Sequence, residues 1–396
     1  MTDINNSYEL ADEFKRQPNE KFNDYKIRLY ELKYSDGLTW KDISSLIEDQ
    51  YGICLSPDAC RNQARRLRNK NNYEEQLNPD DALFNIQKEK VKVRDERIQV
   101  NAIIRRISRE ETLKEIAKDA VEVIKDSKPL NFPDFIEIDD ADGIGILHLS
   151  DWHYGLELDS YWNAYNPEIA RERIVNLRNK VCEKLLKNHI RELFVINTGD
   201  MISGNIHLQL RLNSRIDVIT QTIEVSELLA EFINDLSNNF IIKYADCLDN
   251  HSRIEPKKAD SLDLESLARI TSWYLKERLK DNNNVTFIGN RISNDVITFN
   301  VYGFNVCAVH GHKDKPERIA EHMILMNKEN YDLILTSHYH HFSADEKNET
   351  IILGNSSLMG TDDFAEKLRV SSRPSQNLII STQDNVVDSI FRILVD

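Results

Sequence analysis

From residue 143 onward the chain alternates short apolar runs, each ending in polar residues, with longer amphipathic segments. Few architectures accommodate that rhythm. The runs at 144–150, 193–198, 240–247, 296–301, 306–310 and 333–337 have the length and aliphatic content of buried strands. Segments 167–187, 215–236, 262–279 and 317–327 carry apolar residues at helical spacing. Strands alternating with helices predict a layered α/β body, with functional groups collected at strand ends.

The preceding residues follow a different pattern. Within 1–75, Thr39 followed by Trp40, Lys41 and Asp42 is a capping signature, and Ile43, Leu46 and Ile47 form the buried stripe of a short helix ended by Gly52. Ser56-Pro57 starts a second helix, with the serine as cap and the proline in the first turn, where its missing donor costs nothing. That helix presents Cys60, Ala64 and Leu67 on one side and Arg61, Arg65 and Arg68 on another. The arrangement resembles helix-turn-helix modules, which implies DNA as a partner through the basic helix; a solvated basic face is the plainer alternative. Residues 79–128 read as a long helical connector, with apolar positions too irregular for a sustained heptad, so its surface calls for a body or a second copy of the chain to cover it. A linker containing Pro129 and Pro133 leads into a third region, 143–396. This division predicts that residues 1 to about 128 serve recognition and that a chain beginning near Pro129 keeps whatever chemistry the third region performs.

A net charge of −15 argues against a general nucleic-acid coat, though not against a local basic groove. No apolar run approaches the ~18 residues of a membrane span, and the first residues lack a signal-peptide pattern, so a cytoplasmic protein without membrane partners is expected. The five cysteines contain no CxxC pair and read as reduced core thiols.

All eleven histidines lie between His148 and His341. Five strand ends deliver residues of metal-ligating type: Asp151 and His153 in SDWHYG, Asp200 in NTGDM, Asn250 and His251 in DNHSR, His310 in AVHGHKD, and His338 and His340 in TSHYHH. One histidine after a strand is usually a hydrogen-bonded core or surface residue. Five coincidences in this order, each after an apolar run, call for a common cause. Carboxylate, amide and imidazole without thiolate suit manganese, iron or zinc.

These residues resemble the five motifs of the calcineurin-like metallophosphoesterases, over roughly 143 to 395, with the nearest likeness to SbcD-type DNA nucleases and phage-encoded phosphoesterases that carry a helical N-terminal region. The resemblance implies a two-layered β-sandwich flanked by helices, preceded here by an all-α region. It implies two divalent metal ions, manganese foremost, with iron, zinc or magnesium as alternatives. Asp151, His153 and His340 would hold one, Asn250, His310 and His338 the other, and Asp200 would bridge them. Such a pair, ~3.5–4 Å apart, can activate a bridging water and orient a phosphate. His251 would then protonate the leaving oxygen or stabilise charge as it develops. Arg253 is a candidate phosphate contact. Three residues depart from the family pattern: Asp249 and Ser337 replace glycines, and Ser252 replaces an acid expected to orient His251.

The favoured function is a dinuclear-metal-dependent phosphodiesterase acting on DNA, with RNA as a further possible substrate. Two alternatives remain: a phosphatase or nucleotide phosphodiesterase working on small substrates, or a catalytically weak DNA-binding regulatory protein. Of the other histidines, His207, His312 and His341 are candidates for substrate contact, while His148 is expected to be structural and His189 and His322 exposed.

Overall fold

The structure is a computed structural model and describes residues 12–35, 37–70, 79–136, 142–362, 365, 366, 369 and 371–396. The chain divides into two compact units, 1–102 and 103–396.

The first unit contains α1 (Phe22–Ser35), α2 (Trp40–Tyr51) and α3 (Pro57–Lys70). Thr39 caps α2: its hydroxyl accepts from the Asp42 amide at 3.2 Å, and its own amide donates to the Asp42 carboxylate at 2.7 Å. Gly52 ends the helix at φ +64°, a conformation that costs glycine nothing. Tyr25, Leu29, Ile43, Ile47 and Cys60 are buried together, with Ala64 and Leu67 packed against them. Arg61 and Arg65 are exposed, and Arg61 pairs with Asp58 at 2.7 Å. The side chain of Arg68 lies outside the described residues.

The division between units falls inside α4 (Pro79–Asp126). Along its first half, Leu83, Phe84, Val91, Val93, Ile98 and Val100 are each more than half exposed. In its second half, Ile116 is part of the core of the second unit, and Ala120 is fully buried. The expected boundary near Pro129 is therefore corrected: the end of α4 belongs to the second unit.

The second unit is built on two sheets. Its elements in order are β1 (Ile144–Leu149), β2 (Leu158–Asp159), β3 (Ala164–Tyr165), α5 (Pro167–Lys187), β4 (Glu192–Asn197), α6 (Leu208–Leu212), α7 (Val218–Leu236), β5 (Ile241–Asp246), α8 (Ala268–Arg278), β6 (Val285–Phe287), β7 (Val296–Val301), β8 (Phe304–Val309), α9 (Ile319–Asn327), β9 (Leu333–Thr336), β10 (Ser343–Lys347), β11 (Thr350–Gly354), β12 (Ser375–Ser381) and β13 (Ser389–Leu394). One sheet has the order β13-β12-β1-β4-β5-β6, with β1, β4, β5 and β6 parallel and β12 antiparallel to β1. The other has the order β10-β11-β9-β8-β7, with β8, β9 and β11 parallel.

The alternation of side chains along each strand assigns the layers. Ile146, Phe194 and Ile196 of the first sheet share a core with Val306, Ala308, Leu333 and Leu335 of the second. Their neighbours Leu147, Leu193 and Val195 face the opposite way, against Leu177 of α5 and Leu229 of α7. Cys307, Val309 and Ile334 turn outward against Ile319 and Met323 of α9. The result is the expected two-layered β-sandwich with helices on both outer faces. Among the cysteines, Cys60, Cys247 and Cys307 are buried and Cys182 is half-buried, but Cys54 is exposed and is not a core thiol. No described helix is long and apolar enough to cross a membrane.

Candidate metal centre

The five motifs follow the C-terminal ends of β1, β4, β5, β8 and β9, so both sheets deliver their loops to one edge of the sandwich. Three triads have ligand atoms mutually within 4.8 Å: Asp151, His153 and His340; Asp200, His310 and His338; and His153, Asp200 and His251. The first contains the three residues expected to share one cation; the second brings His310 and His338 to Asp200. Asn250 joins the second through Oδ1, 2.9 Å from His310 Nε2. The third triad brings His251 within ligand distance as well, a role the sequence does not suggest for it.

The centre concentrates negative charge and lone pairs without compensation from hydrogen bonds. Asp151 Oδ1 and Asp200 Oδ2 are buried and accept no hydrogen bond. His153 Nε2 and His340 Nε2 lie 3.1 Å apart, and His340 Nε2 is 3.4 Å from Asp151 Oδ1. His310 Nε2 is 3.1 Å from Asp200 Oδ2. Buried carboxylate oxygens left without donors are costly unless a cation satisfies them, so the donor set fits divalent metal ions.

Backbone strain is concentrated in the same place. Asp151, His153, Asp200, His338 and His340 all have φ between +47° and +75°, in the left-handed region that disfavours residues with a Cβ. Strain of this kind costs about 1–3 kcal/mol per residue and persists where the surroundings dictate it, commonly at ligand-binding sites.

Electrostatics follow from the packing. Burial alone would raise the Asp200 carboxyl, but the His251 and His310 imidazoles hold it well below the usual range. Burial opposes protonation of His310, yet the Asp200 charge beside it lifts it to about 9. Burial, reinforced by His310, lowers His338 to about 4. His153 is pushed well down by burial and by the His251 and His340 rings.

Supporting contacts fix the ligand orientations. His310 Nδ1 is 2.9 Å from the Thr198 carbonyl and 3.1 Å from the Ser337 hydroxyl. If its proton is on Nδ1, Nε2 is left free towards the centre. Ser337, where the family pattern has glycine, helps to hold His310. His251 Nδ1 is 2.7 Å from the Ser203 carbonyl, which replaces the acid the motif lacks, and its amide donates to Asp200 Oδ1 at 3.1 Å. Gly204, at φ +71°, lets the backbone pass against the His251 carbonyl; a Cβ there would collide with it.

Sequence reasoning missed the role of Asp249. This buried carboxylate accepts from the Asp200 amide at 2.9 Å, the Ser252 amide at 2.7 Å and the Ser252 hydroxyl at 2.9 Å. It ties the Asp200 backbone to the loop bearing Asn250 and His251. Burial, with the Asp200 charge, raises it to about 6. The signal was present as an acid beside Asn250, but it reads only as a missing glycine until the fold places it against Asp200.

Arg253 is half-buried and donates to the Pro256 carbonyl at 3.0 Å, while its Nε is buried without a partner. His207 is exposed, and its pKa is lowered by partial burial and by the nearby His251 and Arg253. His148 is buried against Thr198 Oγ1 at 2.9 Å, a structural position. His189 and His341 are exposed, whereas His322 is half-buried and bonds Asp314 at 2.6 Å.

Residues 10–61 match the YonJ N-terminal domain family. Over 388 residues the chain is 25% identical to the SPbeta prophage-derived uncharacterized protein YonJ of Bacillus subtilis (strain 168), covering 92% of this chain and 94% of that protein. Among solved structures, a novel archaeal phosphodiesterase is similar at 15% identity, covering 63% of this chain and 99% of its own, with a TM-score of 0.32. Vps29 complexed with zinc from Entamoeba histolytica is similar at 12% identity, covering 64% and 99%, with a TM-score of 0.31.

Proposed function

We propose that this chain is a dinuclear-metal-dependent phosphodiesterase, most concretely a phage or prophage DNA nuclease of the SbcD type. One observation carries the reading: Asp200 groups with His310 and His338 on one side and with His153 on the other, His153 belongs also to the triad with Asp151 and His340, and Asp151 and Asp200 each present a buried oxygen without a donor. Asp151, His153 and His340 would hold one cation, Asn250, His310 and His338 the other, with Asp200 shared. Cations there supply an activated water at neutral pH and neutralise charge on a phosphoryl group.

The remaining chemistry belongs to the chain. A proton on His251 Nδ1, held by the Ser203 carbonyl, leaves Nε2 facing the centre, 3.8 Å from Asp200 Oδ2. His251 in its protonated form donates to the leaving oxygen. Arg253, anchored through Pro256, presents its guanidinium to the phosphate. The similarity to a prophage-derived protein supports a phage setting in a host cytoplasm, and the exposed Arg61 and Arg65 support DNA as the partner of the first unit.

A digestion panel tests this: labelled single- and double-stranded DNA, RNA and a generic phosphodiester, each in manganese, with native protein and Asp200→Asn. Manganese-dependent cleavage of DNA, lost in the variant, is expected. Two bound ions with no cleavage of any substrate would leave a regulatory scaffold as the function.

A further inference from the structure

Beside the metal centre, sharing His310 with it, lies a cavity of about 460 Å³ that no role above employs. Val296 and Val309 line it from the second sheet, Met323 and Met326 from α9, and His310 and His312 from the loop after β8. Its lining is mainly apolar, and the thioethers adapt to flat polarisable groups. His312 stands 5.3 Å from the His310 ring, ring centre to ring centre, and its Nδ1 is buried without a hydrogen-bond partner. At the rim, Lys313 is already paired with Asp295 at 2.8 Å, so the cavity offers no free cation for a second phosphate.

We propose that this cavity seats the heterocyclic base of a nucleotide whose phosphate lies at the metal centre. The inference rests on the phosphodiesterase reading and narrows its substrate to nucleotide units with an unstacked base: a free nucleotide, a single strand or a frayed strand end. Because His310 belongs to both sites, an occupant of the cavity lies one imidazole away from the reacting phosphate. A sugar phosphate lacks the flat apolar surface that this lining would cover. A base also has an edge that can meet the unpartnered His312 nitrogen. The cavity has room for one nucleoside and none for a stacked duplex.

Photolabelling by azidoadenosine monophosphate in manganese, with adenosine monophosphate and ribose 5-phosphate as competitors, tests the assignment. Label is expected on peptides 309–313 or 319–327, displaced by adenosine monophosphate about tenfold better than by ribose 5-phosphate, which is the contribution of one stacked base. Met326→Gln changes an exposed lining residue at nearly constant volume. It should remove most of that preference and leave the affinity for ribose 5-phosphate unchanged. Equal displacement by both competitors, or label elsewhere, overturns the base site while leaving the phosphodiesterase reading intact. Should native protein hydrolyse nothing, azidoadenosine without phosphate still decides the matter: label on the same peptides supports the cavity alone, and its absence overturns it.

Discussion

Arg109, on the half of α4 that belongs to the second unit, is predicted to set the rate of the metal centre without touching it. Its guanidinium lies 2.9 Å from Glu255 and 3.3 Å from Glu265, and all three side chains are only 14–15% exposed. The two carboxylates stand on opposite limbs of the loop that follows His251 and Arg253. That loop is closed by the Leu267 amide on the Ser252 carbonyl at 2.7 Å. Arg109→Ala therefore leaves two largely buried acids facing each other. Breaking a fully buried pair costs about 3–5 kcal/mol and an exposed one about 0–1. The Glu265 contact lacks hydrogen-bond alignment, because Arg109 Nε and Glu265 Oε2 are both left without a partner. A cost of about 1–2 kcal/mol follows, lowering Tm by roughly 4 °C in a unit this size. The larger effect falls on catalysis, since a shift of ~1 Å in a positioned group can cost ~10²-fold. Steady-state kinetics on a chromogenic phosphodiester should show kcat reduced about tenfold or more at unchanged metal content, with partial rescue by Arg109→Lys. Unchanged kcat and Tm would refute the reasoning; loss of metal would mean that Arg109 supports the ligand frame rather than the loop.

Other outcomes follow from the same geometry. His251→Ala should retain both metals and lose ~10²–10⁴-fold in turnover; loss of an ion on elemental analysis would make His251 a ligand instead. Asp249→Ala should weaken both metal sites together in a manganese titration, because it releases the Asp200 amide, whereas Asp151→Asn should weaken mainly one. A chain beginning at residue 103 should fold and hydrolyse a small phosphodiester. One beginning at Pro129 loses Ile116 from the core and should be markedly less stable, as thermal unfolding would reveal. Changing Arg61, Arg65 and Arg68 together to Ala should lower DNA affinity and flatten its salt dependence; an unaltered salt slope would assign that face to solvent.

What could be read from the sequence had a local cause. The strands β1, β4, β5, β7, β8 and β9 carry their own apolar runs, and each candidate ligand follows one of them, so the edge of the sandwich where they meet was predictable before any coordinate. The Thr39 cap, the Gly52 stop and the Ser56-Pro57 start were equally local. Pairings across long stretches of chain left no such mark. β12 enters the first sheet beside β1 from more than two hundred residues away, and β10, with the sequence SADEK, has no apolar pattern because it is an exposed edge strand. The long helix looked uniform because its apolar positions do not reveal which half meets a body. Only packing shows that Ile116 is buried while Val100 is exposed. The Ser203 carbonyl that replaces the acid beside His251 is a backbone group, which no side-chain motif can announce.

The central claim is that the five strand ends form one centre for two cations joined by Asp200. Elemental analysis of native protein and Asp200→Asn after saturation with manganese and removal of free metal tests it most directly. The account predicts two ions per native chain and a loss at both sites in the variant. One ion or none in the native protein, or a variant that still holds two as tightly, would contradict it.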